Sequence, residues 1–292
     1  MTSSALWNEY YLARTLDEAL ALLGTFGPRA RVIAGGTDLV LGLEEGKVSG
    51  VEILVDISRL PELKTVQADG ERLTIGAGLT VSELQRSATV QAAAPILSEA
   101  AGFIAGRQIR NVATIGGNVV NGSPAADLTP ALLVLDAVVS IAGQDGARRE
   151  TPLERFLLGV RKVDLSPEEL VLAFHMPRPA AGARLRFRKV QPRQAMAISI
   201  LNLAVHLRLE AGCLTDVRLA MGAVAPTTVR LAAVERRLAG LPAADLARVD
   251  LAEALQADIT PISDFRSSRD YRFRVAQRLL QAELLSAVEG IE

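Results

Sequence analysis

Two glycine-paired segments, Ala34-Gly35-Gly36-Thr37-Asp38 and Thr114-Ile115-Gly116-Gly117-Asn118, each follow a short apolar stretch and lack the bulky side chains that shield peptide N–H groups. Successive N–H groups left open in this way make a concave nest for an anion. The Thr37 hydroxyl adds a donor to the first nest. Thr114, Gly116, Gly117 and Asn118 offer the same chemistry from a second point of the chain, and a diphosphate suits both. A single Gly-Gly after a strand is more often a tight turn, because glycine is the default wherever φ must be positive. The pairing of two such segments is what points to a ligand. Neither carries the dinucleotide fingerprint G-x-G-x-x-G or the P-loop G-x-x-x-x-G-K-[ST], so a cradle of another construction is expected. Downstream, Asp127 closes the stretch Ser123-Pro124-Ala125-Ala126-Asp127. In a turn of this kind a carboxylate commonly satisfies nearby N–H groups. Beside a phosphate cradle it equally suits ribose or ribityl hydroxyls, which need acceptors.

The elements that position these segments are legible in outline. Thr15-Leu16-Asp17-Glu18 and Thr80-Val81-Ser82-Glu83 have the capping-box spacing and predict helix starts. Short β-type runs are expected over 31–34, 53–57 and 72–77, and an alanine-rich helix over 92–105 that ends before Gly106. Strands are expected over 132–141 and 169–176. Pro177-Arg178-Pro179 then breaks the pattern, since two prolines so close continue neither a helix nor a ladder. We place a domain boundary there: residues 1–176, with subdomains of about 1–60 and 61–176, and residues 177–292. After the break, Leu201, Leu203, Val205, Leu207 and Leu209 alternate with smaller or more polar residues, the pattern of an antiparallel strand with one buried face. A turn at 210–213 leads to a second strand over 214–224, followed by helices over 228–238 and 269–288. The fold class is α+β, without repeats or low-complexity tracts.

Composition narrows the function. The 292 residues are 49% hydrophobic with a net charge of −1, enough for two or three real cores. The 32 basic residues are dispersed, which argues against nucleic acid as a partner. The longest apolar run, 131–139, is interrupted by Asp136 and falls far short of the roughly 20 residues a membrane span needs. Trp7-Asn8-Glu9-Tyr10 interrupts any secretory pattern, and a cytoplasmic location is expected. With one cysteine, Cys213, and two histidines, His175 and His206, the chain lacks the ligands for an iron–sulfur cluster or a structural zinc site. Cys213, beside Gly212 in a turn, has no base or cation next to it in sequence and reads as a packing residue.

Longer motifs carry a resemblance. Ile33-Ala34-Gly35-Gly36-Thr37-Asp38-Leu39, Gln108 through Asn118 with Asn121 to Pro130, Arg188-Lys189-Val190 with Ala195-Met196-Ala197-Ile198-Ser199, and Asp264 through Arg272 together span nearly the whole chain. In these the sequence resembles the flavin-binding medium subunit of the molybdenum hydroxylases, the group of carbon monoxide and xanthine dehydrogenases. The resemblance implies a two-subdomain FAD-binding domain of the vanillyl-alcohol-oxidase (PCMH) type and a small C-terminal domain of the CO-dehydrogenase-flavoprotein type. It further implies that Val32, Ile33, Ala34, Gly35, Gly36, Thr37, Asp38 and Leu39, with Ala113, Thr114, Gly116, Gly117 and Asn118, line the diphosphate and adjoining sugar. Asn121 then approaches from the second loop, Asp127 binds cofactor hydroxyls, and Val171 and Lys189 reach the flavin ring. Without the resemblance, the basic run 184–189 reads as a solvated strand face.

One departure shows: Ile104 stands where eukaryotic xanthine-oxidising members have an aromatic on the flavin, which argues against a close xanthine dehydrogenase relative. The expected partners are a large subunit with the molybdenum cofactor and a small subunit with two [2Fe-2S] clusters, assembled as a heterotrimer that pairs. This chain would relay electrons from the clusters to an outside acceptor such as NAD, a quinone, a cytochrome or oxygen. It would hold FAD alone, bind no metal, have no catalytic side chain and never touch the substrate. Two other readings fit the cradle by itself: a free-standing flavin oxidoreductase, and a non-redox nucleotide-binding module.

Overall fold

The computed structural model describes residues 6–290. Thr80 begins a helix as its spacing predicts. Its hydroxyl accepts from the Glu83 N–H while the Glu83 carboxylate accepts from the Thr80 N–H, satisfying two orphan donors at the start of Val81–Arg86. Thr15 likewise accepts from the Glu18 N–H at the start of Leu16–Phe26.

The first strands, β1 (Glu9–Leu12), β2 (Ala30–Ile33) and β3 (Ile53–Asp56), form a three-stranded parallel sheet with β3 in the centre. All four residues of β3 are buried, as a central parallel strand covered on both faces requires. The chain continues through β4 (Val66–Asp69), β5 (Arg72–Gly76), β6 (Val138–Ala142), β7 (Arg148–Pro152), the small hairpin β8 (Leu157–Gly159) and β9 (Lys162–Val163), and β10 (Leu170–Pro177). Here β4, β5, β10, β6 and β7 lie side by side in an antiparallel sheet. Helices between β5 and β6 cover it and supply Leu84, Leu97, Ile115 and Leu132 to its core.

The last part of the chain is an antiparallel sheet of β11 (Arg184–Val190), β12 (Leu201–Glu210), β13 (Cys213–Gly222) and β14 (Val229–Arg230). Ala211 and Gly212 both have positive φ, 48° and 78°, which makes the tight turn between β12 and β13.

Four expectations change. The alanine-rich helix is two helices, Ala88–Ala93 and Pro95–Gly102, because Pro95 cannot continue the first and instead opens the second. The expected strand over 132–141 is a helix, Leu128–Val134, followed by a strand that starts only at Val138. Every residue of that helix is buried, and an apolar run buried on all sides carries no period that separates helix from strand. Residues 229–230 form an edge strand before the helix Ala232–Leu238. Finally, β12 buries both faces: Leu201 to Leu207 are all below one-tenth exposed. Ala204, with Phe187 and Ala220, joins the core of the preceding helices, while Leu203, Val205 and Leu207 pack against the C-terminal helices.

The Arg269–Glu289 helix is fastened to this sheet by Arg272, whose buried guanidinium donates to Ile200 O, to Ala223 O at 2.8 Å and to Asp264 at 2.8 Å. Burial works against ionisation of Asp264, but hydrogen bonds from Arg266 and Arg272 outweigh it and hold the carboxyl down from 3.8 to about 2. A carboxyl lowered on folding stabilises the fold above its unfolded pKa and loses that contribution as pH falls through the folded value. Thermal melts should therefore show an Asp264-dependent loss of stability between about pH 4 and pH 2. In Asp264→Asn this part of the slope disappears, and an unaltered slope would refute the assignment. Among the described residues no helix is long and apolar enough to cross a membrane.

Candidate cofactor cleft

The first glycine segment is the turn between β2 and the helix Leu39–Glu44. Gly36 takes φ 68°, a left-handed geometry that fans neighbouring N–H groups toward one side. The N–H groups of Gly35, Gly36 and Thr37 have no acceptor among the described residues. Three successive donors are therefore left open. Asp38 precedes the helix without capping it; its carboxylate accepts instead from Asn121 Nδ2 at 3.0 Å. Ile33 and Leu39 turn away into a small core with Leu43, Val51 and Leu54.

The second segment is built differently. Ile115 N–H donates to Leu79 O at 3.0 Å, Gly116 N–H to Ala77 O at 2.8 Å, Gly117 N–H to Thr114 Oγ1 at 3.0 Å and Asn118 N–H to Thr114 O at 3.0 Å. The expected second nest is thus corrected: Thr114 caps the helix Ile115–Val120, and the amides that follow are taken by the protein itself. Gly116 is required for another reason, since a Cβ there would lie 2.7 Å from Ala77 O. Gly35 obeys the same rule, because its Cβ would lie 2.0 Å from Val112 O. The first glycine motif therefore meets the backbone just ahead of the second, and the second meets that of Ala77. Asn118 Oδ1 is buried without a hydrogen-bond partner among the described residues, an acceptor that awaits one.

Between the motifs lies a cavity of about 120 Å³ lined by Val32, Ala34, Ile57, Ala77, Thr114, Gly116, Gly117, Val120, Leu165, Glu169, Leu170 and Val171. Of the residues predicted from sequence, Val32, Ala34, Thr114, Gly116, Gly117 and Val171 meet here. Ala113 packs at the edge of the large core. The wall is apolar apart from Thr114 and Glu169. The Glu169 carboxylate is clamped by Arg149 at 2.7 and 2.8 Å, and this hydrogen bonding keeps its pKa below the usual carboxylate range despite burial.

Asp127 and Lys189 form a separate buried pair. Lys189 Nζ lies 2.7 Å from Asp127 Oδ2, with the lysine side chain 1% exposed and the aspartate 9%. Lys189 also donates to Phe103 O at 3.1 Å. The other Asp127 oxygen accepts from Ser199 Oγ at 2.7 Å and Asn202 Nδ2 at 2.9 Å. So three protein donors already occupy the carboxylate. The solvated-face reading of 184–189 fails with it: Arg186 pairs with Glu283, Arg188 with Glu99 and Glu283, and Lys189 is enclosed. Asn202 was missed as a site residue. Its signal is an amide at the centre of Leu201-Asn202-Leu203, where burial demands partners.

A methyl group at position 35 must displace backbone, which cannot rotate away as a side chain can. Gly35→Ala should cost about 1–3 kcal/mol, the range for overpacking, read as a lower urea midpoint with an unchanged slope. A midpoint equal to that of the parent chain would show that the loops do not meet as described.

Comparison with known proteins agrees with this architecture. Residues 4–179 match the model of the FAD binding domain in molybdopterin dehydrogenase, and residues 186–287 that of the CO dehydrogenase flavoprotein C-terminal domain. The chain is 36% identical over 282 residues to the xanthine dehydrogenase FAD-binding subunit of Escherichia coli O157:H7, covering 96% of this chain and 95% of that one. It is 32% identical over 279 residues to the carbon monoxide dehydrogenase medium chain of Hydrogenophaga pseudoflava, covering 96% of each. The structure of carbon monoxide dehydrogenase from the same organism superposes with a TM-score of 0.88 at 32% identity, over 94% of this chain and 95% of that one. The expectation drawn from Ile104, which argued against a close xanthine dehydrogenase relative, is overturned by this similarity to a bacterial xanthine dehydrogenase subunit. With both family models matched in order over nearly the whole chain, and relatives above 30% identity along its length, the chain belongs to the family of FAD-binding subunits of the molybdenum hydroxylases.

Proposed function

We propose that the chain carries FAD in the cleft between the glycine motifs, takes electrons from the iron–sulfur clusters of a small partner subunit and delivers them to an external acceptor. The single observation that carries this reading is the row of open N–H groups at Gly35, Gly36 and Thr37 beside a largely apolar cavity. A dinucleotide needs both halves of such a site, donors for its diphosphate and an apolar slot for a flat ring. When bound, FAD supplies the capacity to accept and release electrons. The N–H groups of 35–37 would hold phosphate oxygens, and the Thr114 hydroxyl and Asn118 would take polar groups from the other side. Val32, Ala34 and Val171 would exclude water from the ring.

In this reading residues 1–176 hold the cofactor and residues 177–292 close over it through Lys189. The substrate is hydroxylated at the molybdenum centre of the large partner, and this chain's role is to hold and tune the flavin. A cytoplasmic location fits a chain with a single thiol, Cys213.

The test is direct. The complex purified gently from its own cells should show flavin absorbance bleached by dithionite and should contain a molybdenum chain and an iron–sulfur chain. A colourless complex that takes up no FAD refutes the proposal. The Lys189–Asp127 pair gives a second test. Lys189→Met removes a positive charge and strands a buried carboxylate, and negative charge opposes the arrival of electrons. The midpoint potential of the bound flavin should fall, as followed by spectroelectrochemical titration, and an unchanged potential would remove Lys189 from this role.

A further inference from the structure

We infer that Arg161 is the cation of the diphosphate site, a guanidinium held where the two glycine motifs meet, with donors to spare for phosphate oxygens. The inference rests on the reading that a dinucleotide occupies the cleft.

Arg161 sits in the loop of the β8–β9 hairpin. Gly159 pairs with Lys162, which leaves Val160 and Arg161 as a two-residue turn. Arg161 takes φ 56°. That place in such a turn normally belongs to glycine or asparagine, because a Cβ crowds the backbone at positive φ. A long side chain in a strained turn position calls for a reason, and the contacts of the turn supply one. Arg161 N–H donates to Gly122 O at 2.9 Å, and Gly122, itself at φ 58°, leaves so little room that a Cβ there would lie 3.0 Å from Arg161 Cα. The hairpin tip is thereby pressed against the backbone that follows the second glycine motif. From this position Arg161 reaches Asn121 Oδ1 at 2.8 Å, and Asn121 Nδ2 reaches Asp38 Oδ1 at 3.0 Å. The chain Asp38–Asn121–Arg161 thus links the open nest, the end of the second motif and the hairpin.

Two electrostatic facts turn this link into a binding proposal. First, Asp38 places a negative charge at the end of the nest, so an incoming phosphate meets repulsion unless a cation offsets it. Second, three other cations of the same region are already engaged. Lys189 is held by Asp127 and Phe103 O, Arg149 by Glu169 and Asp164, and Arg110 by the carbonyls of Ile104 and Ala105. Arg161 is exposed and uses a single side-chain donor among the described residues. A guanidinium has five, arranged in a planar fork that matches two phosphate oxygens. The phosphates are those of FAD itself or those of a dinucleotide acceptor that arrives once FAD is bound. The chemistry is the same, and the experiment separates the two.

The assembled complex, stripped of flavin, would be titrated with FAD and with riboflavin, which lacks phosphate, for the parent chain, Arg161→Gly and Arg161→Lys. Arg161→Gly relieves the backbone strain, so its melting temperature should be equal to or above that of the parent, which separates binding from folding. We expect Arg161→Gly to weaken FAD binding about tenfold, as loss of one charge-assisted hydrogen bond does. It should leave riboflavin binding unchanged and flatten the salt dependence of FAD affinity, with Arg161→Lys in between. In a second arm the FAD-loaded complex is titrated with ADP-ribose. If FAD affinity holds while ADP-ribose binding weakens about tenfold, the cation serves the acceptor's diphosphate. Unchanged FAD affinity together with no Arg161-dependent binding of ADP-ribose overturns the inference. Failure of the parent complex to bind FAD at all would instead overturn the cleft reading on which it rests.

Discussion

The cleft depends on backbone meeting backbone without an intervening Cβ. Gly35 lies against the Val112 carbonyl, Gly116 against that of Ala77, and Gly76 against that of Leu63. Each contact closes a different seam. The first joins the two motifs, the second sets the helix Ile115–Val120 on the end of β5, and the third seats β5 on the turn before β4. Because a carbonyl cannot rotate out of the way like a side chain, these glycines fix distances that larger residues would leave to adjustment. The cavity next to Ala34 keeps its width because its opposite wall, at Gly116 and Gly117, is held so closely. The glycines differ in what requires them: Gly36 takes a positive φ, whereas Gly35 and Gly116 lie where a Cβ would meet backbone.

The C-terminal part is bound to the rest through both charge and apolar contact. One face of its sheet contributes Phe187, Ala204 and Ala220 to the core of the preceding helices. Around that contact Glu99 receives Arg188 at 2.6 Å and the Phe187 N–H at 3.2 Å. Burial pushes the Glu99 carboxyl up, and the neighbouring arginines pull it only part of the way back. At the far end, Arg218 and Arg230 both reach Asp136 and the last carbonyls of the helix Leu128–Val134, where cations complement the helix dipole. Asp127 precedes the same helix and is held by Ser199, Asn202 and Lys189. This helix is accordingly clamped at both ends by the sheet that follows it in sequence. Motion of the C-terminal part would have to break a pair that is almost wholly shielded from water, and a buried pair opened on one side costs about 3–5 kcal/mol.

How far the sequence discloses this depends on the range of the interaction. Capping boxes at Thr15 and Thr80, the turn at 210–213 and the bend at Gly36 are local, and residues three or four apart declare them. That β10 ends at Pro177-Arg178-Pro179 is legible for the same reason, although the sheet beyond it shares a core with what precedes it. Partnerships over long separations are silent. Nothing in the run 184–189 says that Lys189 meets a carboxylate 62 positions earlier, or that the alternating pattern of β12 is covered on both faces. The second nest failed as an expectation because open N–H groups were inferred from small side chains alone. Whether an amide is open depends on neighbours such as Ala77 and Leu79, which only the fold brings near.

The distribution of charge separates two properties of the site that could have been entangled. Along the cavity wall the one carboxylate, Glu169, is matched by Arg149, and in the C-terminal part Lys189 is matched by Asp127. Paired charges largely cancel at a distance, and the Lys189–Asp127 pair is in addition nearly removed from water. At the mouth the situation is reversed: Asp38 and Arg161 are exposed, and solvent ions screen them. On the proposed roles of these residues, cofactor affinity would have a component governed by ionic strength at the phosphate end, whereas the tuning of the ring would be set by shielded groups that salt barely reaches. A substitution at Arg161 and one at Lys189 should for this reason act on different observables, and their effects should add, since the two residues share no hydrogen-bond partner.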